Sequence, residues 1–236
     1  MNIAFIGIDP GVSGAVGSVG CYGKYVTAAI YDLPVTARTF LANQSKSLDI
    51  PAFANLIEQC TLCNLDYVVL ATEQMQGMGF KTPAKTLTML AEMAGCLEST
   101  VRLVCRAKNI PLFIRKYQPK IWTRWMFPDS EMRTSRKAEA KNESLEKARE
   151  LFPALQEALT LKKHHDRAEA LLLAFTAMAE LQGCIVDPKL NKMGDLVEVY
   201  LHHRQPAGNR DAKITDILGK NFLPKGQLLN EIIKRK

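Results

Sequence analysis

Acidic residues are the scarcer charge in this chain. Asp and Glu number 24 against 31 Lys and Arg, which gives 236 residues a net charge of +7. Between residues 102 and 124 there is no acid, while Arg102, Arg106, Lys108, Arg115, Lys116, Lys120 and Arg124 all fall there. Such a balance suits a polyanionic partner. Long apolar runs are also missing. None approaches the ~20 residues of a membrane-crossing helix, so no membrane partner is expected. The opening stretch Met1 to Asp9 has no basic n-region and soon meets a charge, unlike a secretory signal, so an intracellular protein is expected. Cysteine is present without a framework. Cys21, Cys60, Cys63, Cys96, Cys105 and Cys184 are irregularly spaced. The lone C-x-x-C at 60–63 lacks the second pair that a zinc site wants and ends a helix-like stretch, where a redox motif would begin one, so ordinary reduced cysteines are expected. Low-complexity tracts and internal repeats are absent, and 47% apolar residues leave room for a sizeable core.

What is there alternates. Ile3–Ile8 is a short apolar run stopped at Asp9-Pro10-Gly11, which predicts a buried strand ending in a turn. Residues 14–19 and 24–31 predict two more strands, punctuated by Gly20 and Gly23, as an antiparallel meander. Residues 34–48 read as a polar loop. Asp49 caps a helix that runs to Cys60, with Pro51 in its first turn. Residues 66–71 predict a fourth strand leading into Glu73, 83–107 a helix, 111–114 a fifth strand, 142–152 an amphipathic helix and 165–181 the most apolar helix. Strands alternating with helices in the second half imply parallel pairing there. The fold class is α/β, a five-stranded mixed sheet flanked by helices. Residues 1–183 form the main domain. Residues 184–236 form a small basic extension, with short helices expected at 212–218 and 226–235.

Four acids stand out by position. Asp9 ends the first strand and Glu73 ends the fourth; as parallel neighbours these strands would bring both to one sheet edge. Asp166 and Glu169 are three apart at the start of the apolar helix, hence on one face. Four clustered carboxylates repel unless neutralised, and oxygen donors without thiols suit hard divalent cations. Two such ions about 3.5–4 Å apart can clamp a phosphodiester displacement. Each acid also has an ordinary reading: an Asp-Pro-Gly turn for Asp9, a strand-end surface residue for Glu73, and a D-x-x-E capping box for Asp166 and Glu169.

Together these residues resemble the RuvC-like Holliday-junction resolvases. Ile8-Asp9-Pro10-Gly11 followed by Gly14-Ala15 is similar to that family's opening motif. Glu73-Gln74 after an apolar strand resembles its second, and His165-Asp166-Arg167-Ala168-Glu169-Ala170-Leu171 its last. Tyr31-Asp32-Leu33-Pro34, Pro119-Lys120-Ile121-Trp122, residues 148–153 and Lys162-Lys163-His164-His165 are similar to the phage and chloroplast branch. The resemblance covers about residues 3–182. It implies an RNase H-like fold and an endonuclease acting as a homodimer on four-way DNA junctions. It also implies hydrolysis with two Mg²⁺ or Mn²⁺ ions held by Asp9, Glu73, Asp166 and Glu169. A bacterial cytoplasmic or phage-encoded origin fits the same resemblance. Two departures are visible. Glu169 stands where the family usually has Asp, and chloroplast-type members carry an acid where this chain has His164. His164 and His165 are therefore candidates for a metal ligand or proton shuttle. G-I-D-P-G also resembles the phosphate loop of sugar kinases and actin-like ATPases, but those need a second such domain and a longer chain, so no nucleotide cofactor is expected.

Expected DNA contacts are Arg115, Lys116, Lys120, Arg124, Lys162 and Lys163, with a further basic set at Arg133, Arg136, Lys137 and Lys141. Gln74, Gln76, Phe80 and Lys81 lie in or beside the loop after Glu73, where Gln74 and Gln76 would read base edges and Phe80 or Met78 would wedge between bases. A lid packed on the sheet is the alternative for that loop. Trp122 and Trp125 read as core or groove wall. The apolar face of helix 83–107 serves either a dimer interface or plain burial. Rival functions are an RNase H-fold nuclease on other branched DNA or structured RNA, and a catalytically silent junction-binding protein.

Overall fold

The computed structural model describes residues 2–11, 13–22, 25–40, 43–74, 84–127, 137–181 and 198–200. The strands are β1 (Asn2–Asp9), β2 (Ala15–Tyr22), β3 (Tyr25–Asp32), β4 (Val35–Phe40), β5 (Asn43–Leu48), β6 (Tyr67–Glu73), β7 (Leu112–Tyr117) and β8 (Glu198–Tyr200). The helices are α1 (Ile50–Cys60), α2 (Ala84–Ala107), α3 (Pro119–Met126), α4 (Lys137–Leu151) and α5 (His165–Leu181), with short 3₁₀ turns between α4 and α5.

β1 has no polar side chain from Ile3 to Ile8, so it tolerates burial on both faces and takes the centre of the sheet. It pairs antiparallel with β2 and parallel with β6. β2 pairs antiparallel with β3, whose half-exposed residues mark a sheet edge, and β6 pairs parallel with β7. The order is β3-β2-β1-β6-β7-β8. Leaving β8 aside, only β2 runs against the other strands, which is the order and direction of an RNase H-like fold.

The sheet separates two apolar layers. Alternation along β1 sends Ile3 and Phe5 to the α5 side and Ala4, Ile6 and Ile8 to the α1–α2 side. β6 divides likewise, Val69 and Ala71 against Val68 and Leu70. On the α5 side the helix comes very close. A Cβ on Gly7 would lie 2.0 Å from the Ala170 carbonyl oxygen, and one on Gly17 2.4 Å from the Leu171 backbone. Only glycine admits that approach. α5 is buried almost all round because α3 and α4 cover its outer side.

The fold differs from expectation in four places. The polar loop expected at 34–48 contains the β4–β5 hairpin, which pairs Phe40 with Asn43 in a small separate sheet. Its Thr, Ser, Gln and Asn residues satisfy a strand ladder without showing an apolar period. α3 is a helix that no expectation covered; it starts at Pro119, where the missing N–H is no loss. α4 begins at Lys137, earlier than the expected 142. Within the segment read as an extension, β8 adds a sixth strand antiparallel to β7. The helices expected at 212–218 and 226–235 lie outside the described residues. Other local signals match. Asp49 Oδ1 accepts the Ala52 N–H at 3.0 Å as the α1 cap, a contact of about 1 kcal/mol. Among the described residues no helix is long and apolar enough to cross a membrane.

Candidate active site

β1 and β6 are in register at Ile8 and Thr72, so Asp9 and Glu73, one residue further on, leave the sheet as neighbours. Their parity sends them to the α5 side. Asp9 alternates with Phe5 and Gly7, and Glu73 with Val69 and Ala71. Facing them is the start of α5, with Asp166 in its first turn and Glu169 one turn on. The close approach at Gly7 and Gly17 is what brings this turn down to the strand ends.

The carboxylates feel one another. The Asp9 carboxyl is held well above the usual carboxylate range. Burial is the largest cause, followed by the charges of Glu169, Asp166 and Glu73 and a hydrogen bond with Asp166. Glu73 Oε1 accepts the indole N–H of Trp122 at 2.8 Å, and Glu169 Oε1 accepts the Ser144 hydroxyl at 3.3 Å. His165 Nε2 lies 2.6 Å from Asp166 Oδ1. His164 is turned to other partners: its Nδ1 accepts the Leu161 N–H at 3.3 Å, and the charges that act on it are those of Arg167, Lys163, Asp32 and Arg149. Its pKa is lowered, by desolvation first and then by Arg167 and Lys163. Arg167 fastens the start of α5 to the end of β3, with Nε donating to Asp32 Oδ1 at 2.6 Å and another N–H reaching the Ala158 carbonyl at 3.0 Å.

Among the described residues no group of three or more His, Cys, Asp or Glu side chains is gathered closely enough to hold a metal ion. The donor chemistry nonetheless fits a hard divalent cation. All four donors are carboxylates, no thiol joins them, and a cation would relieve the repulsion that raises the Asp9 pKa.

The expected DNA contacts fall into two groups. Lys120, Arg124, Lys162, Lys163 and Gln74 are exposed around the acid end. Arg115 is not available there. It is 6% exposed, its guanidinium binds Glu180 on α5, and it packs over the Tyr117 ring at 5.5 Å. Its parity on β7 turns it into the α5 layer, where a buried Arg needs an internal acid. Lys116, on the opposite face, pairs with Glu98 of α2 at 2.9 Å. Gln76, Phe80 and Lys81 lie outside the described residues, as do Arg133 and Arg136. Trp122 is 1% exposed, in agreement with a core reading, but its bond to Glu73 was not foreseen. Neither were Ser144 and the Asp32–Arg167 pair. The only hint was that Asp32 and Arg167 both lie in segments with family-like text.

The fold is that of an RNase H-like α/β protein, with Asp9 and Glu73 at the ends of its first and fourth core strands and Asp166 and Glu169 at the start of the facing helix. No protein-family model matches the chain, and no curated protein does. Among solved structures the chain is similar to Thermus thermophilus RuvC, at 16% identity and a TM-score of 0.44, over 78% of this chain and 97% of that one. It is also similar to T. thermophilus RuvC in complex with Holliday junction substrate, at 14% identity and a TM-score of 0.42, over 78% and 96%. The fold assignment rests on strand order and direction, not on these overlaps.

Proposed function

We propose that this protein is a divalent-metal-dependent endonuclease that resolves four-way DNA junctions as a homodimer, each subunit nicking one of two symmetric strands. The observation that carries this reading is that Asp9 and Glu73 leave adjacent parallel strands on the face that α5 covers, where the charges of Glu169, Asp166 and Glu73 all act on Asp9. These four residues would hold two Mg²⁺ or Mn²⁺ ions. When bound, the ions supply Lewis acidity toward the scissile phosphate. The chain's own residues do the rest. Lys162 and Lys163, one turn before α5, and Lys120 and Arg124 on the outer side of α3 take backbone phosphates near the acids. Gln74, Gln76, Phe80 and Lys81 meet the junction centre, and the basic segment 184–236 adds sequence-independent affinity. The motif text at 119–122, 148–153 and 162–165 supports the phage and chloroplast branch and an intracellular setting.

The test is a substrate panel: mobile four-way junction, flap, plain duplex and RNA–DNA hybrid, each with Mg²⁺ and mapped to nucleotide resolution. Paired symmetric nicks in the junction alone, lost in Glu73→Gln, are expected. Preferential cutting of flap or hybrid would move the protein to another RNase H-fold nuclease class. A second reading, a silent junction-binding protein, draws on the Glu169 departure and the ungathered carboxylates. It requires that tight junction binding come with no cleavage in either Mg²⁺ or Mn²⁺.

A further inference from the structure

Two of the four acids are held by buried donors from helices that contribute none of the four. Ser144 of α4, fully buried, donates to Glu169, and Trp122 of α3 donates to Glu73. The Trp122 contact is the better defined. Its indole N–H is donor-only, so it pairs with a carboxylate oxygen and has no alternative role as acceptor. The ring is packed in the α5-side core, which fixes where that N–H points. The base of α3 is fixed too. It starts at Pro119 directly after β7, and the Gln74 N–H donates to the Tyr117 carbonyl at 2.7 Å, tying the chain leaving Glu73 to the chain entering α3. One helix thus presents two chemistries: Trp122 inward on a candidate ligand, Lys120 and Arg124 outward to solvent.

We propose that Trp122 is the positioning residue for Glu73, holding one carboxylate oxygen so that the group stays oriented toward Asp9 and the α5 acids. The proposal rests on the reading of the four acids as a metal site. A purely structural Trp122 would need only an acceptor for its N–H, and Glu73 would be incidental. Partners that orient metal-ligating groups typically change metal affinity or activity by 10–100-fold when removed.

The chain has two tryptophans, so a Trp125→Phe protein leaves Trp122 as its sole indole. Titrating this full-length protein with Mn²⁺ while following tryptophan emission is expected to give saturable quenching, abolished by a further Glu73→Gln. In parallel, Trp122→Phe keeps most of the ring and removes the N–H. Calorimetric titration is expected to show Mn²⁺ affinity weaker by about 10-fold, with the melting temperature within a few degrees of wild type and the Trp125→Phe affinity unchanged. Two results overturn the proposal while leaving the metal site intact: Trp122→Phe binding Mn²⁺ as tightly as wild type, or saturable Mn²⁺ binding that leaves Trp122 emission unchanged. Wild-type protein with no saturable Mn²⁺ binding overturns the metal site itself and the proposal with it.

Discussion

On the α5 side of the sheet, main chain meets main chain: Gly7 and Gly17 let the helix backbone rest on β1 and β2. On the other side, α1 and α2 meet the strands through side chains such as Phe53, Ile57, Leu97 and Val101. Gly95, on α2, has nothing within 4 Å of where a Cβ would be. The difference lies where the chemistry would be. A side-chain interface can relax around a change, whereas a backbone contact holds the first turn of α5 at a fixed height over Asp9 and Glu73. The same side carries the charge conflict, since Glu169, Asp166 and Glu73 all act on buried Asp9 while Arg167, the basic residue of α5 between Asp166 and Glu169, is engaged by Asp32.

The strongest way to break this contrast is at the acids. Asp9→Asn is expected to lower junction cleavage at least about a thousandfold, or about 4 kcal/mol of barrier, while binding persists in a gel-shift measurement. The same change should raise the melting temperature of the metal-free protein. A carboxyl whose folded pKa is raised opposes folding when ionised, so at neutral pH its neutral isostere relieves that opposition. Adding Mg²⁺ should then stabilise wild type and not the variant.

Next come the glycines, one from each side. Gly7→Ala forces a methyl onto the α5 backbone and should cost about 3 kcal/mol, roughly 6–12 °C in a thermal melt. Gly95→Ala fills open space on a helix and should stabilise by about 0.5–1 kcal/mol. If both changes proved equally tolerated, the backbone contact would not be what sets the height of α5.

The smallest effect concerns the clamp beside the site. Arg167 holds the Asp32 carboxyl below the usual range, chiefly through its hydrogen bond. A depressed acid stabilises above its unfolded pKa, near about 4, and that contribution disappears as pH falls through the folded value. Asp32 is largely exposed, so Asp32→Asn should cost less than about 1 kcal/mol at neutral pH. Chemical unfolding of both proteins across pH should show the difference closing as the pH falls below the unfolded value and through the depressed folded one.

Much of this side was legible in the sequence, for local reasons. An unbroken apolar run marked β1 as central, and strand-ending acids at Asp9 and Glu73 needed only parallel pairing to become neighbours. The i, i+3 spacing of Asp166 and Glu169 required nothing but a helix. What escaped depended on distant partners or weak patterns. Arg115 looked like a surface base because Glu180, which neutralises it, is 65 residues away. Trp122 looked like plain core because Glu73 is 49 residues away. The β4–β5 hairpin is too polar to show a strand period, and α3, at eight residues, is too short to show a helical one.

The most direct measurement is calorimetric titration of the metal-free, full-length protein with Mn²⁺. Two ions bound per chain, with binding lost in Asp9→Asn, is the expected result. An absence of saturable binding, or unchanged binding in Asp9→Asn, would contradict the claim that these four carboxylates form a two-metal site.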